Sequence, residues 1–176
     1  MVVNGKRLES IRLILCGVDG VLTDGRLLVR PDSSEIMCFH NRDVLGIKLW
    51  QKAGGQLGVV SSRSSQLIRN LAEETGVSIV RQGVKDKLAA CEKVIASLGL
   101  TMEETCFLGD DLPDLRAIRA AGLGVAVAGA VGEVLDAADL TLSTPGGHGA
   151  LRELIERILK SQNLWNIATQ EFAGQI

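Results

Sequence analysis

Short apolar runs alternate with helical periods along almost the whole chain. The runs lie within 11–18 (IRLILCGV), 56–60 (QLGVV), 77–80 (VSIV), 105–109 (TCFLG), 123–128 (LGVAVA) and 139–143 (DLTLS). Most are apolar at nearly every residue rather than at every second one. That pattern marks strands buried on both faces, as in a parallel sheet covered by helices. Parallel neighbours need a long crossover, and the intervening segments supply one. Helical spacing of apolar residues predicts helices over 43–53, 64–75, 86–98, 112–121, 131–137 and 148–160. Gly54-Gly55, Gly76 and Gly99 stand at their ends as stop signals. The expected fold is α/β, a doubly wound parallel sheet. One interruption is expected after the first strand, where RLLVR (26–30) and EIMCFH (35–40) flank the turn-rich PDSS as a β-hairpin.

The 176 residues suffice for one domain over 1–176, with its core at about 10–160 and a tail at 161–176. The tail is polar with Leu164, Trp165, Ile167 and Phe172 interspersed, and is either frayed or docked on another surface. A net charge of −2 and an aromatic content of 3% with no tyrosine argue against nucleic acid as a partner. No apolar run approaches the ~20 residues of a membrane span, and the N-terminus lacks a signal-peptide core. Cys16, Cys38, Cys91 and Cys106 form no CxxC pair, so they read as buried free thiols in a reducing cytoplasm.

In open parallel sheets, chemistry gathers beyond the carboxyl ends of the strands. The first strand is followed by Gly17, Asp19 and Asp24, and QLGVV by Ser61, Ser62, Arg63 and Ser64. Lys87 opens the helix at 86–98, and TCFLG is followed by Asp110, Asp111 and Asp114. Taken singly, each has a plain structural role: a turn, a helix cap or a solvated charge. Together they are oxygen ligands suited to Mg²⁺, beside a hydroxyl and an ammonium suited to phosphate oxygens. That combination describes phosphoryl transfer.

DGVLTDG (19–25), SSRSS (61–65), GVKDK (83–87), GDDLPDL (109–115) and GGHGALRE (146–153), in this order, resemble the haloacid dehalogenase superfamily. They are most similar to its cap-less branch of sugar-acid phosphatases. FHNRDVLGIK (39–48) is also similar, although that branch usually has glycine where this chain has Val44. The resemblance spans roughly residues 10–160. It implies a HAD-like Rossmannoid core without a cap domain, Mg²⁺ as cofactor, and a phosphorylated keto-sugar acid of eight or nine carbons as substrate. It also implies a homotetramer assembled through the hairpin 26–40. By the same resemblance, Asp19 is the general acid/base and a Mg²⁺ ligand through its carbonyl. Ser61, with Ser62, binds phosphate, and Lys87 holds the phosphate and the nucleophile. Asp110 binds Mg²⁺, supported by Asp111 and Asp114. Arg63 and Arg42 are candidates for substrate or interface contacts.

One position departs. Where the resemblance implies a nucleophilic aspartate, this chain has Gly17. Glycine removes both the attacking oxygen and a metal ligand, a loss worth on the order of 10⁴–10⁶ in rate. Attack by Cys16 is disfavoured because neighbours in a strand face opposite ways. A water activated by Asp19 is a second substitute. Two further readings stay open: a non-catalytic phosphosugar-binding or scaffold protein on the same fold, and a response-regulator-like phosphoacceptor. The last needs an acceptor at the position that Gly17 occupies.

Overall fold

A computed structural model describes residues 5–32 and 35–173. Six strands form one parallel sheet: β1 (Leu13–Cys16), β4 (Gln56–Val60), β5 (Ile79–Arg81), β6 (Thr105–Gly109), β7 (Leu123–Ala128) and β8 (Leu140–Pro145), in the order β5-β4-β1-β6-β7-β8. The sequence reading of these strands holds, with ends differing by a few residues. The first is shorter than 11–18, although Ile11 and Val18 are both buried. β1 is central. Its partners are in register, with Cys16 opposite Val59 on one side and Leu108 on the other. The chain builds outward from β1 to β4 and β5, then crosses to β6 on the other flank. That reversal is the switch point at which open α/β sheets leave a crevice.

The helices are α1 (Gly5–Glu9), α2 (Asn41–Lys52), α3 (Gln66–Thr75), α4 (Lys87–Ser97), α5 (Leu115–Ala120), α6 (Gly132–Ala137), α7 (Ala150–Ser161) and α8 (Trp165–Ala173). Their starts follow local chemistry. Ser65 Oγ accepts from the Leu67 amide, and Asp86 Oδ1 accepts from Ala89, each satisfying an otherwise orphaned donor. α7 buries Leu151, Leu154, Ile155, Ile158 and Leu159 as a single stripe, the wide apolar face of a core helix.

Two segments refine the sequence reading. Of the two readings of the tail, the docked one holds across 165–173. That stretch forms α8, which packs on α2 and α7, buries Ala168 completely, and sets the Trp165 ring under Arg152 and Lys160 at 5.2 and 5.5 Å. The cationic side chains stack on the ring face, a contact that helical spacing does not announce. The hairpin is also smaller than expected, with β2 (Leu28–Val29) and β3 (Glu35–Ile36) paired antiparallel over two residues each; part of its tip falls at Ser33 and Ser34, outside the described residues. Of the four cysteines, Cys38 is exposed and the other three are buried, because Cys38 follows the projecting hairpin rather than lying in a covered strand.

Candidate active site

The carboxyl ends of β1, β4 and β6 face a cleft of about 240 Å³ lined by Asp19, Gly20, Ser61, Ser62, Arg63, Lys87, Asp110, Asp111 and Asp114, among others. The topology explains the gathering. β1 delivers Gly17 to Asp19, β4 delivers Ser61 to Arg63, and β6 delivers Asp110 onward. Lys87 is the first residue of α4, so its side chain starts at the same edge.

Ser61 is 2% exposed and Asp114 1%. Buried polar groups must be paired, and these are. Ser61 Oγ accepts from the Arg63 amide at 3.1 Å. Asp114 accepts from Lys87 Nζ at 2.5 Å and from the Asp110 amide at 3.1 Å. Asp114 thus fixes Lys87 and the Asp110 backbone. Asp111 Oδ1 accepts from the Leu112 amide at 2.7 Å and caps the 3-10 turn Leu112–Asp114. The loop after β6 is shaped by these two carboxylates, while Asp110 stays directed into the cleft. Burial, and then the Asp114 charge, push the Asp110 carboxyl up to about 7, the expected effect of desolvation and a like-charged neighbour.

The DGVLTDG loop lies hard against its surroundings. A Cβ at Gly20 would stand 1.9 Å from Asp110 Oδ2, and one at Gly146 would stand 1.9 Å from the Gly20 carbonyl oxygen. At Gly146 the clash is with backbone and only glycine permits the approach, and at Gly20 the φ of 76° favours glycine as well. The Val18 carbonyl accepts the amides of Val21, Leu22 and Thr23, which closes the loop on itself.

At the end of β1, Gly17 is buried and its amide donates to Leu108 at 3.0 Å. A Cβ built there would meet Lys87 Nζ at 3.8 Å and Asp114 Oδ2 at 3.6 Å. The empty side-chain position therefore points at the cleft's ammonium. Cys16 is fully buried, and desolvation, reinforced by Asp43 and Asp114, pushes its thiol far above the usual range. A thiol of that kind is inert.

Arg63 bridges two carboxylates, donating to Asp19 Oδ1 at 2.9 Å and to Glu35 Oε2 at 2.7 Å. Glu35, on the hairpin, was not among the sequence-derived candidates; its only signal was the place of β3 beside the loop after β1. Arg42 lies elsewhere, in a groove with Ser143, Thr144, His148 and Arg152. Its neighbour Asp43 faces inward instead. Asp43 is 3% exposed and accepts the Arg152 amide at 2.8 Å through Oδ1. It therefore ties the start of α7 to α2. Burial raises its pKa, and the Arg152 amide opposes that rise. The sequence reading passed over Asp43, although an acidic residue in an apolar helical period was a usable signal.

Among the described residues, no set of three or more His, Cys, Asp or Glu side chains is arranged to hold a metal. Mg²⁺ asks for less, often one or two carboxylates completed by water and substrate phosphate. Asp110, desolvated and not committed to a cation of its own, fits such a site.

A parallel α/β sheet carrying a hydroxyl, an ammonium and clustered carboxylates at its switch point defines a phosphate-handling hydrolase fold. The haloacid dehalogenase-like hydrolase family model matches residues 74–154. The chain is 41% identical over 157 residues to the 3-deoxy-D-manno-octulosonate 8-phosphate phosphatase KdsC of Haemophilus influenzae, covering 89% of this chain and 87% of that protein. The cobalt-bound structure of that phosphatase from H. influenzae superposes with a TM-score of 0.87 at 41% identity, covering 89% of this chain and 92% of the other. The Moraxella catarrhalis 3-deoxy-D-manno-octulosonate 8-phosphate phosphatase, solved with magnesium, phosphate and KDO, gives a TM-score of 0.93 at 34% identity, covering 96% and 97%. The chain belongs to the haloacid dehalogenase-like hydrolases, in the cap-less branch of the sugar-phosphate phosphatases.

Proposed function

We propose that this chain binds a phosphorylated keto-sugar acid of the 3-deoxy-D-manno-octulosonate 8-phosphate type with Mg²⁺, at a phosphomonoesterase site whose nucleophile position is held by Gly17. The observation that carries this reading is the convergence of Ser61, Lys87, Asp19 and Asp110 on one cleft, with the Gly17 side-chain position aimed into it. Ser61 and Lys87 hold the phosphate, and Ser62 and Arg63 extend the anion-binding edge. Asp19 serves as the proton carrier for the leaving alcohol. Asp110, with the Asp19 carbonyl, holds Mg²⁺, which neutralises phosphate charge when bound. Asp111 and Asp114 keep that loop in place. Without an attacking carboxylate, turnover falls by on the order of 10⁴–10⁶ while binding is kept. The inert Cys16 thiol does not substitute.

The second reading, a non-catalytic oligomeric phosphosugar-binding protein, is favoured by Gly17 and by the apolar outer surface of the hairpin. Leu27, Leu28, Val29 and Ile36 are all exposed there. A surface of that kind suits a homotetramer built through the hairpin 26–40; Arg42 then serves as a surface contact. No helix among the described residues is long and apolar enough to cross a membrane, and a cytoplasmic setting is part of the proposal.

The test is equilibrium binding of 3-deoxy-D-manno-octulosonate 8-phosphate in the presence of Mg²⁺. The expected result is saturable binding of unhydrolysed ligand, weakened about tenfold, or ~1.4 kcal/mol, by Ser61→Ala. Binding that is absent, or indifferent to Ser61→Ala, would contradict the proposal.

A further inference from the structure

A groove of about 580 Å³ lies between the start of α2 and the outer side of α7. Arg42, Arg152, Arg157 and Lys160 line it, with only two carboxylates, Glu153 and Glu156. The chain as a whole carries a net charge of −2, so a local excess of positive charge reverses the sign of the whole and favours an anion there. Both carboxylates are already engaged. Glu153 accepts from the Ser143 and Thr144 amides, from Ser143 Oγ and from Arg157. Glu156 accepts from Lys160 at 2.6 Å. Arg157 and Lys160 are therefore matched, and the cations left over are Arg42 and Arg152.

The two start from one contact. Asp43, next to Arg42 on α2, holds the Arg152 amide at 2.8 Å. Arg42 is exposed; its amide bonds to His40 Nδ1, and its guanidinium has no partner among the described residues. Arg152 is fixed without being neutralised. Its guanidinium carbon sits 5.2 Å from the centre of the Trp165 ring, and its Cδ would stand 3.2 Å from a Cβ at Gly46, which leaves it that room. Stacking uses the flat face of a guanidinium and leaves its edge of donors free. Glu156 Oε2 stands 3.7 Å from Arg152 Nε, too far for a hydrogen bond, and Nε is buried with no partner. A part-buried cation in that state carries a desolvation cost that a bound anion offsets.

We infer that this groove is an anion site separate from the cleft, where Arg42 and Arg152 together take a dianionic phosphate group. The guanidinium fork matches pairs of phosphate oxygens, and two such cations match the charge of one phosphate dianion. Arg152 is held in place before the ligand arrives, which lowers the ordering cost of binding. The loop 146–149 divides the two sites. Its Gly147 amide donates to the Val21 carbonyl at 3.0 Å, on the cleft side, while His148 and Gly149 line the groove. The inference does not rest on the phosphatase reading.

The experiment is equilibrium dialysis of ³²P-labelled inorganic phosphate against the metal-free chain carrying Ser61→Ala, which weakens the phosphate contact of the cleft. Arg42→Gln and, as a control outside the groove, Arg119→Gln are added to it; both arginines are exposed, so neither change disturbs the core. The expected result is one saturable phosphate per chain, weakened about tenfold by Arg42→Gln, the loss of one charge-assisted contact. Arg119→Gln should change it by less than about twofold, and acetate should compete far more weakly than phosphate. Glycerol 3-phosphate separates the two sources of the group. Binding equal to that of inorganic phosphate assigns the site to phosphomonoesters, and binding of inorganic phosphate alone assigns it to the free ion. No saturable binding, or binding indifferent to Arg42→Gln, would overturn the inference. Equal losses in Arg42→Gln and Arg119→Gln would also overturn it, leaving an adventitious ion only.

Discussion

The cleft and the hairpin both branch from the segment after β1, and they break the same rule in opposite senses. In the cleft, polar groups are buried where a core would be apolar: Ser61 at 2% exposure and Asp114 at 1%. On the hairpin, apolar groups face outward where a surface would be polar: Val29 at 66% and Leu27 at 63%. Buried polar groups and clustered exposed apolar groups are the informative exceptions to ordinary burial. The cleft accepts a stability cost to hold charges in place; the hairpin accepts a solubility cost by leaving apolar side chains exposed, as the proposed assembly requires. If that contrast is correct, mutations in the two regions should act on different observables.

The largest stability loss is expected in the cleft. Lys87→Met leaves Asp114 buried without its cation and should cost about 3–5 kcal/mol, read by urea unfolding. The hairpin should behave in reverse. Val29→Lys should change protomer stability by less than about 0.5 kcal/mol yet reduce the proposed hairpin-built assembly to protomers, read by light scattering. An equal stability loss at both sites would erase the contrast.

Asp110 sharpens the cost argument. Its carboxyl is raised to about 7, first by burial and then by Asp114. A raised folded-state pKa favours the protonated form. The metal-free chain should therefore lose stability as pH rises from about 4 through 7. Asp110→Asn removes that dependence and should gain roughly 1 kcal/mol at pH 8, with no gain near pH 4, followed by thermal unfolding across pH. An effect of similar size and opposite pH dependence belongs to Glu153, away from the cleft. Burial pushes its carboxyl up, but bonds from Ser143 and Thr144 outweigh that and bring it down to about 2. A depressed folded-state pKa gives stability that is present above about 4.5 and lost as pH falls through 2. Glu153→Gln should cost about 1 kcal/mol at pH 7, and that cost should vanish near pH 2.

The sheet was legible because β1, β6 and β7 are apolar on both faces, a pattern set by burial alone. Most of the cleft was legible for a topological reason: parallel strands carry whatever follows them to one edge, so Asp19, Ser61 and Asp110 could be collected before their distances were known. Lys87 followed from the start of a helix. The residues that escaped were those whose role depends on rotation about an element. Asp43 escaped while its neighbour on α2, Arg42, was a candidate, and the two part ways: Arg42 reaches an outer groove and Asp43 caps α7. Helical periodicity marks Asp43 as inward but does not say what it meets. Glu35 escaped for a related reason: its partner Arg63 is distant in sequence, and the hairpin that carries it has only a two-residue ladder. Trp165 shows the same gap in the tail, where stacking on Arg152 and Lys160 replaces a regular apolar stripe.

The most direct test of the account is phosphate release from 3-deoxy-D-manno-octulosonate 8-phosphate with Mg²⁺, comparing the chain with Gly17→Asp. A Cβ at Gly17 already points toward Lys87, and only Val21 must give way slightly. The account predicts near-background release by the chain and a gain on the order of 10⁴ or more in Gly17→Asp. Equal release by both would contradict the claim that the cleft lacks only its nucleophile, and silence from both would contradict the claim that the rest of the cleft is intact.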